Sequence, residues 1–151
     1  MTEFNVPKSR DASVVRPGLS RASFMHPNWF PPTAWVQHAP FAYFITEALR
    51  PKTYVELGSH YGYSFFAVCQ AVKAYGLDTK CFAVDTWQGD EHAGFYSDEV
   101  YRQFKSHLDP NYAGFASMKR MTFAAAAGDF AAGAIDLLHI DGRHFYEDAK
   151  E

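Results

Sequence analysis

Tyr54-Val55-Glu56-Leu57-Gly58-Ser59-His60-Tyr61-Gly62-Tyr63-Ser64 is the stretch that decides the fold. A short apolar, β-branched run ends on an acid, and a glycine-spaced turn then opens an amphipathic helix. Glycines at such a turn permit backbone angles that other residues resist, and they let a ligand come close. The helix behind the turn aims unpaired N–H groups and a partial positive charge at whatever sits there. A carboxylate or phosphate fits that place, whereas Glu56 attracts an ammonium or a hydroxyl. A dinucleotide fingerprint, G-x-G-x-x-G, needs glycine where this chain has His60, whose side chain would crowd a pyrophosphate. The E-x-G-x-x-x-G spacing suits a smaller zwitterion, with its carboxylate at the helix start and its ammonium near Glu56.

Outward from this turn, strands and helices alternate. Upstream, residues 40–50 read as a helix with Phe41, Phe44, Ile45, Ala48 and Leu49 as its apolar stripe, Pro40 in the first turn and Pro51 as the stop. A strand over 53–57 leads into a helix over 63–75 that buries Phe65, Val68, Cys69 and Val72 and ends at Gly76. A second strand, 81–85, leaves Asp85 at its carboxyl end, followed by a polar loop with Trp87, Asp90, Glu91 and His92. Ser97 caps a third helix whose stripe is Val100, Phe104 and Leu108, with Asp109-Pro110 as its end. A weak strand at 117–121, an alanine-rich helix at 123–130 and a nearly continuous apolar strand at 134–140 complete the pattern. The last strand reads as central and buried, and another helix begins at Phe145. Such alternation predicts a parallel α/β sheet flanked by helices.

The 151 residues, 48% hydrophobic and 21% charged, amount to one ordinary domain or part of a larger one. A net charge of -3 gives no reason to expect nucleic acid or an anionic membrane as partner. Cys69 and Cys81 fall in a helix and a strand and read as buried reduced thiols. No apolar run reaches membrane-spanning length and the start lacks a signal-sequence pattern, so the cytoplasm is the expected compartment. Residues 1–23 are expected to be a flexible N-terminal arm, with the domain proper at 24–151. Residues 24–38 are aromatic, proline-broken and histidine-bearing, and read equally as a strap packed on the domain or a lid over a pocket.

In such a sheet, ligands bind outside the carboxyl ends of the strands, near the switch point. Three strands carry an acid there: Glu56, Asp85 and Asp141. Any one of them alone reads as a cap or a loop charge. Three at equivalent strand ends point to one crevice, with the acid of the second strand placed to accept both hydroxyls of a ribose. His139 and Asp141 share a side of their strand and, with His144, spell H-x-D-x-x-H. That spacing allows a zinc site, but His139, two residues inside an apolar strand, reads better as a hydrogen-bonded core histidine.

These residues resemble the class I S-adenosylmethionine-dependent methyltransferases. Glu56-Leu-Gly58-Ser-His-Tyr-Gly62-Tyr63-Ser64 is similar to the E-L-G-x-x-x-G-Y-S opening of catechol O-methyltransferase-like enzymes. A bacterial group often encoded in, or fused to, glycosyltransferase proteins carries versions of Trp35-Val-Gln-His38-Ala-Pro-Phe41, Val84-Asp-Thr-Trp-Gln-Gly-Asp-Glu-His92 and Ile135-Asp-Leu-Leu-His-Ile-Asp-Gly-Arg-His144. The resemblance implies a Rossmann-like fold, of which this chain supplies the first four strands and lacks a C-terminal portion. It implies that Glu56, Gly58, Ser59, Gly62 and Ser64 hold the methionine end of S-adenosylmethionine, that Asp85 takes the ribose and that Trp87 lies against the adenine. It implies too that Asp141 helps ligate a divalent cation such as Mg²⁺, and that His144 stands where the family keeps a catalytic lysine.

The expected function is therefore O-methylation of a sugar or small hydroxylated metabolite, with Asp141 and His144 as catalytic residues and a small-molecule acceptor as partner. A non-catalytic S-adenosylmethionine-binding or interaction module in a glycosyltransferase system is the alternative. A nicotinamide-dependent oxidoreductase is disfavoured by His60. An incomplete sheet would leave the apolar fourth strand open to a homodimer contact or to the missing C-terminal portion.

Overall fold

In the computed structural model, residues 20–91 and 94–142 are described. His92, His144 and the helix expected from Phe145 lie outside the described residues. The principal elements are α1 (Ala39–Leu49), β1 (Thr53–Leu57), α2 (Tyr63–Tyr75), β2 (Lys80–Asp85), the two-residue strands β3 (Gly89–Asp90) and β4 (Gly94–Phe95), α3 (Asp98–Tyr112), β5 (Ala116–Arg120), α4 (Phe123–Ala127) and β6 (Leu137–Ile140). Four strands form one sheet in the order β5-β2-β1-β6, every neighbouring pair parallel. β3 and β4 pair separately as an antiparallel ribbon. The chain adds β2 and β5 on one side of β1, then crosses to place β6 on the other. The topological switch point therefore lies between β1 and β6, which bear Glu56 and lead into Asp141.

Alternation along the strands separates two layers. Tyr54, Cys81, Ala83 and Ala116 face α1, α2 and α3 in a large core that includes Phe65, Phe66, Trp87, Phe104 and Tyr112. Val55 and Val84 face the opposite side, where α4 contributes Ala126 and Phe123. α2 is buried over most of its circumference, from Tyr63 to Val72, because the sheet, α1, α3 and the N-terminal strap all pack on it. Gly76, at φ +63, ends it in the left-handed conformation that glycine adopts without strain.

Four expectations change. α1 has the expected helical period but a different phase. Ala39, Ala42, Tyr43 and Thr46 face inward, while Phe41, Phe44 and Leu49 are 60%, 43% and 53% exposed. The small inward residues let α1 lie close to α2, and the Tyr43 hydroxyl reaches Gln70 at 3.4 Å. α3 runs through Pro110 to Tyr112. Proline forfeits one backbone bond there, but burial of Leu108 and Tyr112 and an Asn111 side-chain bond to the His107 carbonyl hold the last turn. β6 starts at Leu137 because Asp136 is committed as a cap, its Oδ2 accepting from the amides of Lys52 and Thr53 at 2.8 and 2.9 Å. Expected to be central, β6 instead ends the described sheet, with Leu138 and Ile140 exposed.

The expected loose arm is structured from Ser20, which caps a 3-10 turn at Arg21–Phe24 and leaves Ala22 buried. From there the segment to His38 is a strap. Gln70 donates to the His26 carbonyl and accepts from the Asn28 amide, the Trp29 indole donates to the Tyr61 carbonyl at 2.8 Å, and Tyr63 donates to the Val36 carbonyl. The last two bonds attach the strap to the β1–α2 turn itself. Among the described residues no helix is long and apolar enough to cross a membrane.

Candidate functional site at the strand tips

The turn after β1 is shaped by its glycines, for reasons internal to the protein. Gly58 has φ +86, and a Cβ there would meet the backbone of Asp141 and Gly142, with the Asp141 carbonyl carbon 2.7 Å away. The exit of β6 therefore presses on this position, fixed by the Asp141 amide donating to the Leu57 carbonyl at 2.8 Å. Gly62 has φ +84, and a Cβ would fall 2.5 Å from the Phe66 ring and 2.6 Å from Phe104. Between them His60 takes a left-handed φ of +46, and its ring packs between Tyr61 and Tyr96. Such a φ is uncommon for a non-glycine residue. α2 begins with Gly62 as cap and no side chain satisfying its first amides, so its N-terminus keeps its capacity for an anion.

Glu56 is fully buried. Its Oε2 accepts from the Tyr54 hydroxyl at 2.6 Å and from His139 Nδ1 at 2.8 Å, while Oε1 is buried with no hydrogen-bond partner. β1 places Tyr54 and Glu56 on one face, and the β1–β6 register sets His139 directly opposite Glu56. Burial presses the His139 imidazole down. The hydrogen bond and charge of Glu56, with a further push from Asp141, outweigh that and hold it above the ordinary histidine value. His139 is thus the hydrogen-bonded strand histidine that its position suggested. Trp35, from the strap, lies with its ring 5.1 Å from that of His139.

Asp85 is used differently. Its Oδ2 accepts from the amides of Ser59 and His60, both at 2.9 Å, and its Oδ1 from the amide of Trp87 at 2.7 Å. The carboxylate at the tip of β2 therefore shapes the loop after β1. Nearby, Ser59 is buried with its Oγ unpartnered, and Ser64 is buried in the first turn of α2. Burial lowers the His60 pKa, against a pull from Asp85 and Asp141 in the other direction. Trp87 requires a correction. It is 0% exposed, with φ +52, its indole donating to the His60 carbonyl at 2.8 Å and its ring against Tyr101 and Phe104. A ring enclosed in that way supports the turn and has no free face for an adenine.

The structure thus brings Glu56, Gly58, Ser59, Gly62, Ser64, Asp85 and the backbone of Asp141 to one end of the sheet. The expectation of Mg²⁺ finds no support. Among the described residues no group of three or more histidine, cysteine, aspartate or glutamate side chains converges on a point. An open depression lined by Arg50, Lys52 and Asp78 lies at the opposite, amino ends of the strands and shares no residue with these acids. Sequence reading missed Tyr54 and the contact between His139 and Glu56. Period-two alternation pairs Tyr54 with Glu56, but only the strand order reveals His139 as their neighbour.

A family profile described as a methyltransferase domain matches residues 55–151, from within β1 to the last residue. The chain belongs to the methyltransferase-domain family. This methyltransferase domain is also 51% identical to the uncharacterized protein y4gI of Sinorhizobium fredii, over 87% of the chain and 15% of that protein. Among solved structures it is similar to the SAH-bound methyltransferase PaMTH1 of Podospora anserina, with a TM-score of 0.56 and 17% identity over 83% of this chain and 51% of that one. It is similar also to cofactor-bound Rv0187 from MTB, at TM-score 0.55 and 15% identity over 80% and 49%. The O-methyltransferase TomG of Streptomyces achromogenes, in complex with SAM, gives 0.54 and 12% over 73% and 45%. These likenesses establish the Rossmann-like methyltransferase fold. The chain spans about half the length of the solved structures it matches, and far less of the curated relative.

Proposed function

We propose that the domain binds S-adenosylmethionine at the tips of β1 and β2 and belongs to an enzyme that methylates a hydroxyl of a sugar or other small hydroxylated metabolite. The observation that carries this reading is Glu56, a buried carboxylate with Oε1 unpartnered, one residue from the glycine turn that opens α2. A buried acceptor without a donor costs roughly 1–3 kcal/mol, more if charged, and an ammonium group removes that cost. The uncapped first turn of α2 suits the α-carboxylate of the same zwitterion, with the unpartnered Ser59 Oγ close by in the turn. Asp85 spends three acceptor positions on backbone amides, and a carboxylate offers about four lone-pair sites, so it retains capacity for one ribose hydroxyl.

When bound, the sulfonium supplies a methyl group for in-line displacement by an acceptor oxygen. The residues of the chain orient the donor and exclude water around it, with Trp87 and Phe104 holding the turn from below and the strap from Trp29 to Val36 tied to its outer side. Removal of the acceptor proton is assigned to His144 on the family resemblance. A histidine suits that task because its ordinary pKa, about 6.5, lies near working pH. His144→Ala in the full-length enzyme is expected to lower turnover by roughly 10²–10⁴-fold with donor affinity little changed. Unchanged turnover would reassign the base. Membership of a glycosyltransferase-associated system rests on the same resemblance. Among the described residues β6 ends the sheet, and Leu138 and Ile140 are exposed on the face beside that edge; both support association there, which sedimentation of the purified chain would reveal.

A non-catalytic role as a cofactor-binding module makes the same demands on Glu56 and Asp85. Methyl transfer to a panel of sugars and phenols separates the two: a full-length protein that binds the donor and methylates nothing is the module.

A further inference from the structure

We infer that Tyr54 and His139 are positioning residues that give this domain its selectivity for the amino-acid end of the donor, an inference that rests on the cofactor reading above. Both groups donate to the same oxygen of Glu56, Oε2, at 2.6 and 2.8 Å. A carboxylate only accepts, so His139 presents Nδ1 as N–H, and the neutral ring suffices for this. The two bonds fix the carboxylate plane and fill one oxygen. Oε1 is left as the buried acceptor without a partner.

Each donor is itself held. The Tyr54 ring is buried and stacks on Phe65 with centroids 5.9 Å apart. His139 is fixed by the β1–β6 ladder and covered by Trp35. Without these donors, Glu56 could rotate and turn either oxygen toward an incoming ligand. With them, Oε2 is held and Oε1 remains the single acceptor left for an ammonium. Charge-assisted hydrogen bonds depend on such alignment more than neutral ones do. Trp35 and His139 also join the strap to this carboxylate, so the segment that roofs the turn touches the same network.

The test compares two ligands on the 151-residue chain: S-adenosylhomocysteine, which carries the ammonium and carboxylate, and 5′-methylthioadenosine, which lacks both. Calorimetry on the unsubstituted chain should show a clear preference for S-adenosylhomocysteine. Tyr54→Phe and His139→Leu are expected to reduce that preference by roughly tenfold or more each, as loss of a hydrogen bond to a charged group implies, while methylthioadenosine affinity stays the same. His139→Asn, which keeps a donor, should restore part of the preference. Thermal melts identify any variant that fails to fold, and Tyr54→Phe, which retains the ring, then carries the test. An unchanged preference in a folded Tyr54→Phe variant overturns the inference, and so does an equal loss for both ligands, the mark of a merely structural role. A parent chain that binds both ligands alike overturns the cofactor reading beneath it instead.

Discussion

Glu56 and Asp85 occupy corresponding places at the tips of adjacent parallel strands, yet their surroundings are opposite. Asp85 is half-buried and takes three backbone amides from its own chain, Ser59, His60 and Trp87. Glu56 is sealed from solvent, receives two side-chain donors on one oxygen and none on the other. The first acid builds the turn, and the second keeps an unsatisfied valence inside it. Two acids that look interchangeable in the sequence thus differ in what the chain leaves open on them: Asp85 is engaged by backbone amides on both oxygens, Glu56 by side-chain donors on one oxygen only. The difference follows from side-chain direction: Glu56 points into the helical face, and Asp85 lies beyond the last pairing of β2 with β1.

The strongest way to break this arrangement is at Gly58, which lies between the two acids. Its amide donates to the Val84 carbonyl and its α-carbon faces the Asp141 backbone. Gly58→Val is expected to cost more than about 4 kcal/mol, because a positive φ and a backbone clash add together. Chemical denaturation measures this, and a near-normal midpoint would mean that β6 does not press on the turn as described.

Glu56→Ala should come next, because it leaves the buried Tyr54 hydroxyl and the half-buried His139 imidazole facing a cavity. A loss of roughly 3–5 kcal/mol is expected, as for other broken buried pairs. Asp85→Ala should cost less, roughly 1–3 kcal/mol, since the amides it releases are only partly buried and water can reach them. Equal losses in the two variants would erase the distinction between the acids. Asp85→Ala should also weaken donor binding, partly through the disordered turn.

The smallest effect concerns the histidine attached to each acid. His139, on Glu56, has its pKa raised, so its stabilising share is complete below its unfolded value of about 6.5 and is lost as pH rises through the folded value. His60, whose amide bonds Asp85, has its pKa lowered by burial. Its share is present above about pH 6.5 and is lost as pH falls through the folded value. His60→Asn, which tolerates the left-handed φ, should flatten the acid side of the stability profile, and His139→Asn the side above neutrality. Urea midpoints across that range decide, and identical profiles in both variants would contradict these assignments.

The strand and helix order was legible because each element carries its own period and its own stop, as at Gly76 and the Ser97 cap. Phase was harder to read. In α1 the bulky residues suggested the buried stripe, but close packing on α2 selects the small ones, Ala39 and Ala42. Pro110 looked like a terminator, yet tertiary burial of Tyr112 overrides a single lost bond. The placement of the turn between β1 and α2 was legible from spacing, because a strand followed by a glycine turn allows few arrangements. The partners of the residues around it were not: the Glu56–His139 contact spans 83 residues, and the seat of Trp87 depends on α3. Trp87 follows an acid at a strand tip and invited a role toward the ligand, while the space around it is filled by Phe104 and Tyr101.

The most direct test is calorimetric titration of the folded chain with S-adenosylhomocysteine and, separately, with NAD, for the parent and for Glu56→Gln. The parent should bind S-adenosylhomocysteine and not NAD, and Glu56→Gln, which keeps the shape but loses the charge, should bind it at least roughly tenfold more weakly. Binding of NAD but not of S-adenosylhomocysteine, or full affinity in Glu56→Gln, would contradict the assignment of Glu56 as the acceptor of the donor's ammonium.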